Sequence, residues 1–181
     1  MDMYKLKFTR LQYEIIRLLM IKAGEKLTQR NIAECLKVSP TAIAKSIPQL
    51  EKDSMILLKK SDKMNLNLVE LNRNSPKTIE LKRAENLKII YESGLSDFLE
   101  EKFPTGTIIL FGSYSRGDDT ARSDIDIAII KSKPKEINLT EYEKKLEREI
   151  RINFYNSVKD INKELKEKLF NGIVLAGGIE L

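Results

Sequence analysis

"LFGSYSRGDDTARSDIDIAII", residues Leu110–Ile130, joins two strand-like runs through a turn that carries two glycines and both signs of charge. In the second run acid and hydrophobe alternate. Successive side chains of an extended strand point to opposite faces, and residues two apart lie about 7 Å apart along one face. Asp124 and Asp126 therefore project together while Ile125 and Ile127 turn into a core. Two adjacent carboxylates repel unless a positive charge lies between them, and oxygen ligands of this kind suit Mg2+ or Mn2+. Upstream, Gly112 and Ser113 stand where the first strand breaks into a turn and a helix start. Glycine lets a phosphate approach the backbone, and a serine hydroxyl together with free N–H groups binds its oxygens. One edge grips phosphates and the adjacent edge grips a metal, which is what nucleotidyl transfer from a nucleoside triphosphate requires.

Composition narrows the chemistry further. The 181 residues include no histidine, which removes the imidazole base, the Ser-His and Cys-His nucleophile systems and every His-containing metal site. Cys35 is the single cysteine, so no intrachain disulfide and no cysteine-cluster zinc site can form. Catalysis, if present, runs on carboxylates, hydroxyls, amines and bound metal. No apolar run reaches the roughly 18 residues of a membrane span, and the N-terminus alternates charge with hydrophobe, so a soluble, cytoplasmic chain without membrane contact is expected. Charge is divided unevenly: residues 1–76 hold 14 basic against 8 acidic residues, while 77–181 hold 18 against 19.

The basic half reads as three helices and a hairpin. "TRLQYEIIRLLMIKAG" spaces its apolar residues for a helix with Thr9 as N-cap and Gly24 as stop. Thr28 caps a second helix. "SPT" places Ser39 as N-cap and Pro40 at the first helical position of a third. In that third helix Ile43, Ile47 and Leu50 share one face and Thr41, Lys45 and Gln49 the opposite one; Pro48 is expected to kink it or to cost it a hydrogen bond. "MILLKK" and "NLNLVELN" flank a polar loop as a β-hairpin. Helix, turn, helix and hairpin resemble the winged helix-turn-helix of bacterial and archaeal regulators, with the Ser39 helix as recognition helix. The resemblance implies DNA contacts from Thr41, Lys45 and Gln49, and phosphate contacts from wing lysines Lys59, Lys60 and Lys63. The same lysines also fit a solvated face of a helical domain that contacts protein.

"NRNSPKT", residues 72–78, reads as a linker, dividing a winged helix-turn-helix domain at 1–75 from a second domain at 77–181. The second half alternates helices ("TIELKRAENLKIIYESG", "LSDFLEEKFP", "LTEYEKKLEREI", "DINKELKEKLFNG") with strands ("GTIILFG", "DIDIAII", "RINFYNS") and ends in "IVLAGGIEL", a strand or tail. The whole chain is expected to be α+β, its C-terminal part a mixed sheet flanked by helices.

Gly112-Ser113, ten residues, then Asp124-x-Asp126 resembles the signature of the DNA polymerase beta-like nucleotidyltransferase superfamily. It is most similar to the minimal nucleotidyltransferases, which include antitoxins paired with small helical toxins. The resemblance spans 77–181. It assigns Gly112 and Ser113 to the triphosphate, Asp124 and Asp126 to metal and catalysis, and sets Arg116, followed by Gly117, near phosphate or the loop acids. Asp118 and Asp119 match nothing in it and read as turn residues. The superfamily's third carboxylate belongs on "IRINFYN", where Arg151, Asn153 and Tyr155 share a face and Asn153 stands in the expected place. Asparagine cannot serve as a base. Either Glu149, Asp160 or a substrate group replaces the acid, or the site binds metal and nucleotide with little turnover. Two functions follow. One is a Mg2+-dependent (or Mn2+-dependent) enzyme moving AMP from ATP, or another nucleotide, onto a protein or small-molecule hydroxyl. The other is a transcriptional regulator or antitoxin whose nucleotidyltransferase half senses nucleotide or a small helical toxin. A two-fold DNA site makes a homodimer the expected assembly in either case.

Overall fold

The structure of the chain, a computed structural model, describes residues 8–60 and 67–179. Two compact units make it up, Met1–Ile79 and Glu80–Leu181.

The first unit runs α1 (Arg10–Ile21), β1 (Leu27–Thr28), α2 (Gln29–Leu36), α3 (Pro40–Lys52), β2 (Ile56–Lys60) and β3 (Asn67–Leu71). Its helix starts are fixed locally. The Thr9 hydroxyl accepts from the Gln12 N–H at 3.3 Å, while the Gln12 side chain accepts from the Thr9 N–H at 2.9 Å. Thr28 and Asn31 form the same reciprocal box, and the Ser39 hydroxyl accepts from the Ala42 N–H at 3.2 Å. Each such cap stabilises its helix by about 1 kcal/mol. Ile15, Leu19, Ile32, Ile43, Ile47, Leu50, Met55 and Val69 meet in the core. Strand β3 lies between β1 and β2, antiparallel to both, which completes a winged helix. The two-residue β1 has no periodicity of its own and is made visible only by its pairing with β3. Helix α3 continues through Pro48, which stays exposed, so the lost hydrogen bond falls on the solvent side. The hairpin tip, with Lys63, lies outside the described residues.

Helix α4 (Pro76–Ser93) begins inside the expected linker: Pro76 takes a first-turn position where its missing N–H costs nothing, and the Ser75 carbonyl accepts from the Thr78 N–H at 3.0 Å. The boundary between the two units falls within this helix. There follow α5 (Leu95–Lys102), β4 (Thr107–Phe111), α6 (Gly112–Arg116), β5 (Ile125–Ile130), α7 (Thr140–Leu146), β6 (Ile150–Tyr155), a 3-10 turn (Val158–Asp160), α8 (Lys163–Phe170) and β7 (Ile173–Ala176). The sheet order is β6-β5-β4-β7, with β5 and β6 parallel and the other pairs antiparallel. It is the mixed sheet expected of this half. Helix α7 is shorter than its charge pattern suggests, because Glu147 turns into the left-handed region (φ 52°) and sends the chain into β6.

Both faces of the sheet are covered. Ile108, Leu110, Ile125, Ile127 and Ile129 pack with Ile90, Leu95 and Leu99 on one side. Ile109, Phe111, Ala128 and Ile130 pack with Ile161 and Leu169 on the other. Burying each of these isoleucines and leucines is worth roughly 1.5–3 kcal/mol, so β4 and β5 form a firm platform for whatever their ends carry.

Candidate active site

The strand register brings the two halves of the motif together. Phe111, the last residue of β4, pairs with Asp126 on β5, so the turn that begins at Gly112 starts beside that aspartate. Gly112 has φ 77°, and a Cβ added there would collide with Oδ2 of Asp126. Only glycine meets both conditions. The α6 turn is closed by the Ser115 hydroxyl donating to the Gly112 carbonyl at 2.9 Å and by the Gly117 N–H donating to the Ser113 carbonyl at 3.0 Å. The half-buried Ser113 hydroxyl has no hydrogen-bond partner among the described residues. Arg116 is exposed, and its Nε and Nη2 donate to Asp118 at 3.3 and 3.2 Å. It also lines a cleft of about 570 Å3 with Arg83, Glu164, Glu167, Lys168 and Asn171, a volume in the range of small-ligand sites.

Electrostatics mark Asp126 as the strained member of the pair. Burial raises its pKa first and the neighbouring Asp124 raises it further, against smaller opposing contributions from Arg151, Lys168 and Arg116. A carboxylate in that position gains from a cation. Asp124 and Asp126 are the side chains that could hold a hard divalent ion, and two carboxylates leave such an ion in need of further oxygen ligands. Among the described residues no group of three or more acidic or cysteine side chains is arranged to hold a metal by itself.

Register fixes which residue of β6 stands level with Asp126. Strand β6 lies parallel to β5, with Asp126 opposite Arg151 and Ala128 opposite Asn153. The residue beside the aspartates is therefore Arg151, not Asn153. Alternation had placed both on the correct face, but a face does not say which residue stands level with Asp126. The Arg151 guanidinium reaches Oδ2 of Asp124 at 3.0 Å through Nη1 and Oε1 of Glu149 at 3.3 Å through Nε. Glu149, one of the proposed replacements for the acid, is thus engaged by the same arginine. Asp160 lies in the 3-10 turn.

A second group of charged residues was missed in the sequence reading. Asp119, read as a turn residue, is fully buried; its Oδ1 accepts from Lys82 at 2.5 Å and from the Asn86 amide at 2.7 Å. Lys82 is 1% exposed. Asn86 also donates to the Tyr114 carbonyl at 2.9 Å, and Arg148 approaches Oδ2 of Asp119 at 3.9 Å. Burial, with Asp119 next, pushes the Tyr114 phenol upward. The cluster ties α4 to Tyr114 within the Gly112–Gly117 turn and to Asp119 just after it. A lysine and an asparagine on the inner face of α4, at 82 and 86, were the one available signal, since such residues are buried only when paired.

In the first unit, Thr41, Lys45 and Gln49 are exposed along α3 as expected, with Gln49 donating to Asp53 at 3.1 Å. Lys59 pairs with Glu70 at 2.5 Å, and Lys60 is exposed at the end of β2. No helix among the described residues is long and apolar enough to cross a membrane.

The family model described as the nucleotidyltransferase domain matches residues 92–176, a span that holds the whole sheet, the Gly112 turn and both aspartates. No curated protein matches the sequence. Among solved structures, the adhesin competence repressor of Streptococcus pyogenes is 22% identical, with a TM-score of 0.43, over 56% of this chain and 72% of its own. A mutant of ZitR from Lactococcus lactis is 24% identical, with a TM-score of 0.40, over 56% of this chain and 64% of its own. MepR of S. aureus, solved in complex with DNA, is 16% identical, with a TM-score of 0.40, over 54% of this chain and 79% of its own. At scores this low these neighbours decide nothing about the chain, whose own helices and strands define the winged helix. The chain joins a winged-helix unit to a unit that matches the nucleotidyltransferase-domain family model over residues 92–176.

Proposed function

We propose that the second unit is a DNA polymerase beta-like nucleotidyltransferase of the minimal type. It would take a nucleoside triphosphate, ATP in this reading, with Mg2+ or Mn2+, and transfer the monophosphate to a hydroxyl of a protein or small molecule. The observation that carries this reading is the placement of Asp126 against Gly112, with the Ser113 hydroxyl of the same turn unpartnered among the described residues. Gly112 and Ser113 would cradle the triphosphate, with Arg116 at its edge; Asp124 and Asp126 would hold the ion. The bound ion supplies Lewis-acid polarisation of the α-phosphate. The acceptor oxygen bonds to the α-phosphorus as the α–β bridging bond breaks; pyrophosphate leaves and the hydroxyl proton passes to water. In this reading residues 1–75 form a DNA-binding domain acting through Thr41, Lys45, Gln49, Lys59 and Lys60, residues 77–181 form the transferase domain, and the chain works in the cytoplasm as a homodimer.

A second reading, a regulator or antitoxin whose site binds nucleotide with little turnover and which meets a small helical toxin, is favoured by the uncharged Asn153 in place of a third carboxylate and by the cationic Arg151 level with Asp126. Incubation with α-labelled ATP, Mg2+ and candidate acceptors separates the two. Label transfer that is lost in Asp124→Ala supports transfer. Nucleotide-modulated DNA binding without any label transfer supports the regulator and overturns the first reading.

A further inference from the structure

The Arg151 side chain is 58% exposed, yet its guanidinium is anchored on Asp124 and Glu149 at once. It lies level with Asp126 across the parallel pair, so three carboxylates and one guanidinium share the rim of the sheet where β5 and β6 begin. A fixed positive charge there neutralises one of the two ligands that a divalent ion would need, and repels the ion itself. Exposed ion pairs of this kind are weak, so a ligand that offers the guanidinium better oxygens can draw it away. Phosphate oxygens are such a ligand, because arginine's fork matches them in two-point fashion.

Resting on the nucleotide-binding reading above, we propose that Arg151 is a built-in cation gate. It occupies Asp124 in the free protein, makes the aspartate pair a poor site for a divalent ion alone, and swings to a phosphate group of the incoming nucleotide or acceptor. Metal and phosphate ligand then bind together, and the empty site stays charge-compensated without metal. Arg151 acts on the aspartates as a positioning residue.

The test uses the full-length chain and Mn2+ alone, with free Mn2+ followed by its paramagnetic resonance signal in the absence of nucleotide. Arg151→Gln is expected to bind Mn2+ on the order of tenfold more tightly than the wild type, reflecting the loss of one ion pair and one like-charge repulsion. Arg151→Lys, which keeps the charge, is expected to stay within about twofold of the wild type. Lys168→Gln removes another positive charge acting on Asp126 and is expected to change the affinity by less than about twofold. Equal Mn2+ affinity in the wild type and Arg151→Gln overturns the proposal, as does an equal gain from Lys168→Gln, which would reduce the effect to net charge. Thermal melts of each variant guard against a folding artefact; the exposed Arg151 position is expected to leave the midpoint unchanged. A chain that never binds ATP would sink the nucleotide reading and leave the Mn2+ comparison to stand or fall separately.

Discussion

Replacing Asp119 by alanine removes the anion that compensates Lys82, and the structure sets the scale of the effect. Both side chains are essentially without solvent contact, 0% and 1% exposed, and their ion pair is reinforced by the Asn86 amide at 2.7 Å. Removing one partner of such a pair strands a buried charge and costs about 3–5 kcal/mol. For a unit of this size, Glu80–Leu181, that corresponds to a fall in melting temperature of roughly 12–20 °C. Calorimetry or circular dichroism of the full chain reads it as a shift in the transition of the second unit. The counterpart is the double variant Lys82→Met, Asp119→Leu: exchanging a whole buried pair for apolar residues of similar size is often neutral or stabilising, so most of the lost stability is expected to return. Because Asn86 joins Asp119 to the Tyr114 carbonyl inside the Gly112–Gly117 turn, the single variant is also expected to weaken the proposed nucleotide binding at temperatures where it is folded. A single variant that melts within about 4 °C of the wild type would refute the account of a compensated buried charge, since that shift is only about 1 kcal/mol. So would a double variant no more stable than the single.

Three further outcomes follow from the same geometry. Gly112→Ala must place a Cβ against Asp126 at a backbone angle that alanine resists, so a loss of at least about 1 kcal/mol in stability and of measurable ATP binding is expected, read by melting and by titration. Asp126 has a raised folded-state pKa, so its protonated form favours folding; that contribution is complete below the ordinary carboxyl pKa and is lost as pH rises through the folded value. Asp126→Asn is therefore expected to be more stable than the wild type at pH 7, by no more than about 1 kcal/mol because water screens the site, and indistinguishable from it at acid pH. A stability difference that grows on acidification would contradict this. Lys45→Ala is expected to weaken DNA binding at all sequences and to lower the slope of log affinity against log salt by about 1, measured by fluorescence anisotropy across a salt series.

How much was legible beforehand depended on how local each signal was. The helix starts at Thr9, Thr28 and Ser39 could be read directly because a cap is made by residues three apart in the chain. The strands around Ile108 and Ile127 were readable from alternation and β-branching. The start of α4 at Pro76 was misread because a polar, proline-containing stretch serves equally well as a linker and as a capped helix start.

What the sequence determined by itself is the chemistry of the motif: a glycine and a serine where a strand breaks, two aspartates on one face of the next strand, and no histidine to offer a different mechanism. These are statements about side-chain type and short-range geometry, and covalent spacing settles them. Only the tertiary structure decided that Arg151 rather than Asn153 stands beside Asp126, and that Asp119 is a buried anchor rather than a turn residue. Strand register is set by how whole apolar faces pack, and a slip of one residue pair leaves the alternation of β6 unchanged. A buried charge is tolerable only if its partner arrives from elsewhere; Lys82 lies 37 residues from Asp119. No local pattern carries that meeting, because the fold creates it.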